Sequence, residues 1–221
     1  QEVRLRGSRA YVAGADSLRI VDTSDPSHPS VVGRWDAPGP SQYSSVDVLG
    51  DHVYVCQPNA GIDYGLIHII DASNPTSPVK VGEVSTYYGS KLFVSDGKLY
   101  VSGELYSDLR VLDLSDPVVP SDLWGITFSG WGASSMVRAG NRVLSIGWSP
   151  DPYSLHVVEL GNEAMPPIES SPAGLGGRCI QVNGDRAYIG GGNPSGLVQV
   201  VDVSAPASPA LLGQISLPSR V

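Results

Sequence analysis

One motif constrains this chain more than any other feature: a short apolar run closed by Asp, a Ser two residues on, and then Pro-x-x-Pro. Its first copy reads Leu18-Arg-Ile-Val-Asp22-Thr-Ser-Asp25-Pro26-Ser-His-Pro29. It returns as Ile67-His-Ile-Ile-Asp71 running to Pro75 and Pro78, as Leu109-Arg-Val-Leu-Asp113 running to Pro117 and Pro120, and as Val198-Gln-Val-Val-Asp202 running to Pro206 and Pro209. A worn copy, Leu155-His-Val-Val-Glu159, reaches Pro166 without the Ser or the first Pro. Each Val- and Ile-rich run predicts a buried or half-buried strand. The Asp that closes it accepts nearby backbone N–H groups as an Asx turn, and the Pro ends ladder pairing. Asp22, Asp71, Asp113 and Asp202 are therefore expected to form turns; one per repeat scatters them, which argues against a metal site. Glu159, with its longer side chain, predicts a looser connection.

A short hairpin precedes each copy, with Gly7, Gly50, Gly97, Gly140 or Gly184 at its turn, and an apolar run follows it, as in Val31-Val-Gly-Arg-Trp35 and Ala210-Leu-Leu-Gly-Gln-Ile215. Gly between two apolar runs marks a hairpin by its backbone demands. Each unit is thus four antiparallel strands. Four-stranded units repeated every 40 to 50 residues are the mark of a β-propeller, whose sheets bury both faces against their neighbours. The turn glycines lie 43, 47, 43 and 44 residues apart, and the interval from Gly184 through the C-terminus to Gly7 is again 44. The expected fold is all-β: a single domain over 1–221, a closed five-bladed propeller with adjacent termini and repeats near 1–40, 41–89, 90–132, 133–176 and 177–221.

The copies ending at Asp22 and Asp202, each followed by Ser and Pro-x-x-Pro, resemble the LVIVD repeat family of bacterial and archaeal surface proteins. The resemblance runs through all five units, with the fourth degenerate. It implies a β-propeller in a secreted or cell-surface setting, and it carries neither an agreed activity nor a catalytic motif.

Composition narrows the partners. A net charge of −8 without a basic cluster argues against nucleic acid, whose phosphates require a Lys/Arg surface. No apolar run approaches the roughly 20 residues of a membrane span. The chain opens at Gln1 with no Met and no leader-like stretch, as a mature exported product or an excised segment would.

In a four-stranded blade, the loops joining strand two to three and strand four to the next blade emerge on one side. Those loops are expected to hold Tyr43, Tyr64, Tyr87, Tyr88, Tyr106, Trp131, Trp148 and Tyr153, eight of the sixteen aromatics. Tyr and Trp there offer flat apolar surface with a polar tip. With Asp63, Glu104, Asp108, Asp151 and Arg178 as polar companions they form a candidate binding face for a carbohydrate, a protein or further copies of the chain. The departures from the repeat at 57–65 and 148–153 are the first choices, because binding resides in such insertions. The competing expectation is that the rings cap a central channel.

Catalysis has less support. A polysaccharide hydrolase or lyase needs carboxylates converging on inner strands, and Asp47, Asp63, Glu104 and Asp151 are the candidates. The middle of the first strand reads Arg4, Asp47, Phe93, Val137 and Gln181, so a single carboxylate falls there and is expected to pair with Arg4. No metal or cofactor motif is present. His68 and His156 share a third-strand position with Arg19, Arg110 and Gln199, which predicts a polar stripe. Cys56 and Cys179 fall in blades two and five, which are not neighbours in a ring of five, so both are expected as buried thiols without a disulfide.

Overall fold

The computed structural model describes residues 2–14, 16–37, 42–58, 64–86, 89–103, 108–127, 131–148, 154–160, 169–170, 174–191 and 196–217. Among them the chain is all-β, with no helix, in five four-stranded antiparallel sheets whose strands lie in chain order. The first sheet holds β1 (Glu2–Arg6), β2 (Arg9–Ala13), β3 (Ser17–Asp22) and β4 (Ser30–Asp36). The second holds β5 (Ser45–Leu49), β6 (His52–Gln57), β7 (Gly65–Asp71) and β8 (Val79–Thr86). In the third are β9 (Gly89–Ser95), β10 (Lys98–Gly103), β11 (Asp108–Asp113) and β12 (Ser121–Thr127). The fourth comprises β13 (Trp131–Ala139), β14 (Arg142–Trp148), β15 (Ser154–Glu159) and β16 (Glu169–Ser170), and the fifth β17 (Cys179–Asn183), β18 (Arg186–Gly190), β19 (Leu197–Asp202) and β20 (Ala210–Ser216).

The first hairpin of every sheet follows from its turn residues. Gly7, Gly50, Gly140 and Gly184 have φ of 57°, 59°, 58° and 59°, a positive value at the first loop position alone, as type II′ turns require. In the third sheet both Asp96 (49°) and Gly97 (66°) are positive, the type I′ pattern. The motif Asp then closes the third strand as the sequence predicts: the Ser24, Ser73, Ser115 and Ser204 N–H groups donate to Asp22, Asp71, Asp113 and Asp202 at 2.8, 2.8, 2.9 and 2.8 Å. The residue after each Asp also donates its N–H to a carbonyl of the first hairpin's turn, Thr23 to Ser8, Ala72 to Asp51, Leu114 to Gly97 and Val203 to Asp185. Leu160 makes the same bond to Asn141 although Glu159 replaces the Asp. The looser connection expected after Glu159 falls at 161–168, outside the described residues, and the strand beyond it, β16, has two residues.

The chain divides into two compact units, residues 1–104 with 109–125, and 105–108 with 126–221. Within the first, Tyr11, Ala13, Leu18 and Ile20 of the first sheet pack on Val46, Val48, Val53 and Val55 of the second. Tyr54, Cys56, Ile67 and Ile69, on the opposite face of the second sheet, pack on Leu92, Leu99, Val101 and Leu112 of the third. The rule is the same at both junctions: the face bearing the second-strand Tyr meets the Val- and Leu-rich face of the next sheet. One further contact recurs with it. A Cβ on Gly33 would lie 1.7 Å from the Pro75 carbonyl oxygen, and one on Gly82 would lie 2.5 Å from that of Val118, so the fourth-strand glycine leaves room for the next sheet's Pro turn. Tyr54 donates its hydroxyl to the Pro117 carbonyl at 2.9 Å. In the second unit Leu144, Ile146, Leu155 and Val157 pack on Ile180, Ala187, Ile189 and Val201. Arg142 clamps that junction by donating to the Val203 and Ser204 carbonyls.

Cys56 and Cys179 form no disulfide; Cys56 is buried as expected, whereas Cys179 is exposed. The correction follows from the register. Cys179 shares its face of β17 with Gln181 and, across the ladder, with Tyr188, which is 39 % exposed.

The four turn carboxylates are held below the ordinary Asp range, at Asp22 and Asp71 chiefly by the Ser backbone N–H and at Asp113 and Asp202 chiefly by the Ser hydroxyl. A depressed carboxylate contributes stability that is present above its unfolded pKa and lost as pH falls through the folded one. Replacing all four by Asn, which still accepts the N–H but does not titrate, is expected to leave the Tm near neutrality almost unchanged and to flatten its fall as pH drops below about 4. Thermal melts across that range check this. An equally steep fall would mean that other groups govern acid unfolding.

Candidate functional site

In the first unit a cleft of about 420 Å³ is lined by Tyr64, Ser85, Thr86, Arg110 and Asp122. Tyr64 sits just before β7, in the connection from second to third strand, and Ser85 and Thr86 end β8. Both segments belong to the end where the sequence places the aromatic loops. Arg110 comes from β11 and reaches across the junction. Its Nη1 donates to the Ser85 carbonyl at 2.7 Å, while Nε and Nη2 donate to the two carboxylate oxygens of Asp122, the latter at 2.8 Å. This fork holds the guanidinium plane in place. Arg110 keeps the Asp122 carboxyl below the usual range, so it stays ionised. Tyr64 is 44 % exposed, leaving ring surface open to a ligand.

Of the residues expected on the binding face, Tyr64 is the one whose side chain the structure brings to this cleft. Tyr43 is 3 % exposed, packs beside Trp35 and His68, and accepts the Ala37 N–H on its hydroxyl at 3.0 Å. It is a core residue of the first junction, as its apolar ring between two facing sheets requires. Trp131 and Trp148 lie not in loops but in β13 and β14, as partners in register, because the hairpin runs on past two bulges. Arg178 lies just ahead of β17, where its N–H donates to the Gly190 carbonyl at 2.8 Å. Asp63, Tyr87, Tyr88, Glu104, Tyr106, Asp151 and Tyr153 lie outside the described residues. Sequence reasoning missed Ser85, Thr86 and Asp122 as cleft-lining residues and took Arg110 only as part of a polar stripe. A signal existed: Asp122 stands two residues after the last Pro of the motif, where the other fourth strands carry Val31, Lys80 or Leu211.

The polar stripe itself lies at the sheet junctions. Besides Arg110, Gln199 donates to the Gly174 carbonyl and accepts the Gly176 N–H, and buried His68 lies 5.1 Å from the Trp35 ring of the preceding sheet. The His68 Nε2 meets Gln57 Oε1 at 2.7 Å and therefore donates, while Nδ1 has no partner. Among the described residues no three His, Cys, Asp or Glu side chains are placed to share a metal ion.

Two carboxylates on the first strands of neighbouring sheets share one arginine. Arg4 lies 2.9 Å from Glu2 and, as expected, pairs with Asp47, at 3.6 Å. Burial pushes the Asp47 carboxyl up despite two bonds that oppose it, from the Val94 and Val48 N–H groups at 2.7 and 2.9 Å. Both oxygens are thus engaged with backbone, one of them in the neighbouring sheet. Asp47 is built as a latch between β5 and β9.

Burial pushes the His68 imidazole down to about 4 from an ordinary 6.5. The unfolded chain therefore takes up a proton first on acidification, so this part of the stability is complete above about pH 6.5 and is lost as pH falls toward 4. It is worth on the order of 3 kcal/mol. His156 is shifted the same way by burial and adds to the trend. His68→Gln, which removes the titration, is expected to flatten the Tm profile within that window, and an unchanged slope in thermal melts would overturn the assignment.

The family model for the LVIVD repeat matches residues 1–37, 42–86 and 177–216, which cover the first, second and fifth sheets. No curated protein matches the chain. Solved structures resemble it in fold at low identity. A functionally unknown protein of Desulfotomaculum acetoxidans has a TM-score of 0.72 at 13 % identity, over 96 % of this chain and 68 % of its own. A protein of Bacteroides uniformis, named provisionally as a 6-phosphogluconolactonase, has a TM-score of 0.76 at 14 % identity, over 97 % and 70 %. One of Bacteroides fragilis with the same provisional name has 0.77 at 10 %, over 97 % and 69 %. At these identities the likeness is one of propeller-like architecture alone. The repeated strand, the Asx turn with its prolines, and the family match over more than half the sequence together establish that this chain belongs to the LVIVD repeat family.

Proposed function

We propose that this chain is a non-catalytic binding module of an exported or cell-surface protein, and that its ligand seats on the end of the molecule carrying the second-to-third-strand and inter-sheet loops. The observation that carries this is the cleft of Tyr64, Ser85, Thr86, Arg110 and Asp122, where an open aromatic ring stands beside a fixed ion pair. Concave sites with a few fixed polar groups are the usual form of a ligand pocket. A carbohydrate, a protein and a second copy of the chain are the ligand classes such a surface suits. Binding on a glycan array, with particle size measured in parallel, tests it. Tyr64→Ala is expected to abolish sugar capture or self-assembly without lowering the Tm. Retention of both in Tyr64→Ala and in a Trp131→Ala, Trp148→Ala double variant would reject this end as the binding face.

A hydrolase has one observation in its favour, the approach of Glu2 and Asp47 to Arg4, in a fold shared with proteins provisionally named lactonases. The backbone bonds on both Asp47 oxygens speak against proton transfer there. Turnover of a sugar lactone or polysaccharide that vanished in Asp47→Asn would reverse this choice.

We further propose that the five sheets close into one ring. The support is chemical. The fifth sheet repeats the Tyr and Gly of the other junctions in Tyr188 and Gly213, and the first sheet carries the matching Pro26 turn and the exposed Val3 and Leu5. Gly33→Ala, which must displace the Pro75 turn, is expected to cost about 1–3 kcal/mol. Closure requires Gly213→Ala to cost a similar amount in a monomer, although no neighbour lies within 4 Å of a Cβ built there. A neutral Gly213→Ala would show that the ring stays open.

A further inference from the structure

We propose that the cleft between the second and third sheets takes the vicinal diol of a neutral sugar ring, with the ring stacked on Tyr64. This deepens the binding-face proposal and rests on it. The Arg110–Asp122 fork uses both carboxylate oxygens and, with the bond to Ser85, three of the five guanidinium N–H groups. Two N–H donors remain beyond these bonds among the described residues, and each carboxylate oxygen keeps further acceptor capacity. At the edge of such a planar pair a donor and an acceptor lie side by side. Adjacent sugar hydroxyls have the same spacing, and each is at once donor and acceptor, so a diol can accept from Arg110 and donate to Asp122 in one plane.

Charge selects against other ligands. Among the described residues the cation and anion of the fork cancel, which leaves that lining no net attraction for a phosphate or a uronate, and the chain as a whole carries −8. Because Asp122 is held ionised by Arg110, the acceptor is available throughout the neutral range. Ser85 is exposed at the wall and adds a hydroxyl that can exchange donor and acceptor roles. Tyr64 contributes what a polar fork lacks, a flat apolar surface for the C–H face of a pyranose. A volume of about 420 Å³ fits one or two sugar rings and not a folded partner. The fork is pinned before any ligand arrives, so little ordering cost opposes binding.

The probes are methyl glycosides of glucose, mannose and galactose, neutral disaccharides of the same sugars, and the 2,3-di-O-methyl form of each glycoside, followed by saturation-transfer NMR at millimolar concentration with the full chain. Binding is expected for at least one glycoside with a free diol and is expected to vanish when that diol is methylated. Tyr64→Ala and Asp122→Asn are each expected to weaken it by about tenfold, with the Tm held within a degree or two of the parent. Equal binding of free and methylated forms, or binding untouched by both variants, would overturn the diol assignment while leaving a sugar-binding face in place. No transfer to any neutral saccharide would overturn it as well. In that case protein capture or self-assembly sensitive to Tyr64→Ala would keep the broader proposal, and its absence would end both.

Discussion

A four-stranded sheet of this chain is apolar on both sides, so a neighbour must cover each face before the sheet is buried. That requirement organises everything else. In the first unit it is met by a repeated contact in which the Tyr-bearing face of one sheet receives the Val- and Leu-rich face of the next, and the Pro turn of the second sheet drops onto a glycine of the first. The motif that dominates the sequence is the same device seen from within one strand. Its apolar run supplies the face, its Asp ends the strand, and its prolines shape the turn that the preceding sheet accommodates. Gly33 and Gly82 are glycines because a backbone carbonyl occupies the space a side chain would need.

Polar groups inside these junctions act as locators. Asp47, Ser45, Arg110 and Gln199 each reach from one sheet or its connection to the next by a hydrogen bond, and buried His68 does so by packing on the Trp35 ring. An apolar interface alone is tolerant of sliding, whereas a buried hydrogen bond is satisfied in one register only. Raising the Asp47 pKa and lowering that of His68 are the electrostatic cost of placing such groups where water is scarce. The candidate site at Arg110 grows out of one of these locators: His68, His156 and Gln199 are buried at the same third-strand position, whereas Arg110 lies at an open cleft and pairs with Asp122.

The fold was legible to the degree that it is local. Strand, hairpin glycine, Asx turn and four-strand unit are all set by neighbours in sequence, and the described sheets follow them closely, down to the bond from each post-Asp residue to the hairpin turn. The candidate site was legible only in part. Tyr64 was found as an aromatic in a departure from the repeat, but Ser85, Thr86, Arg110 and Asp122 come from three further strands and meet only when two sheets pack. Tyr43 looked like a loop aromatic and is a core residue, because its position in a connection said nothing of which sheets would close over it. Trp131 and Trp148 looked like loop residues because the bulges that prolong their hairpin leave no mark in the hydrophobic pattern.

By itself the sequence determined the repeat, the four-stranded antiparallel unit, the turn chemistry of Asp22, Asp71, Asp113 and Asp202, and membership of the LVIVD family, since each depends on residues a few positions apart. Tertiary structure decided which faces are covered, which cysteine is exposed, how the Asp47 and His68 groups titrate, and that Tyr64 stands beside a pinned Arg110–Asp122 pair. Those properties depend on desolvation and on distances between sheets, and neither is a function of spacing along the chain.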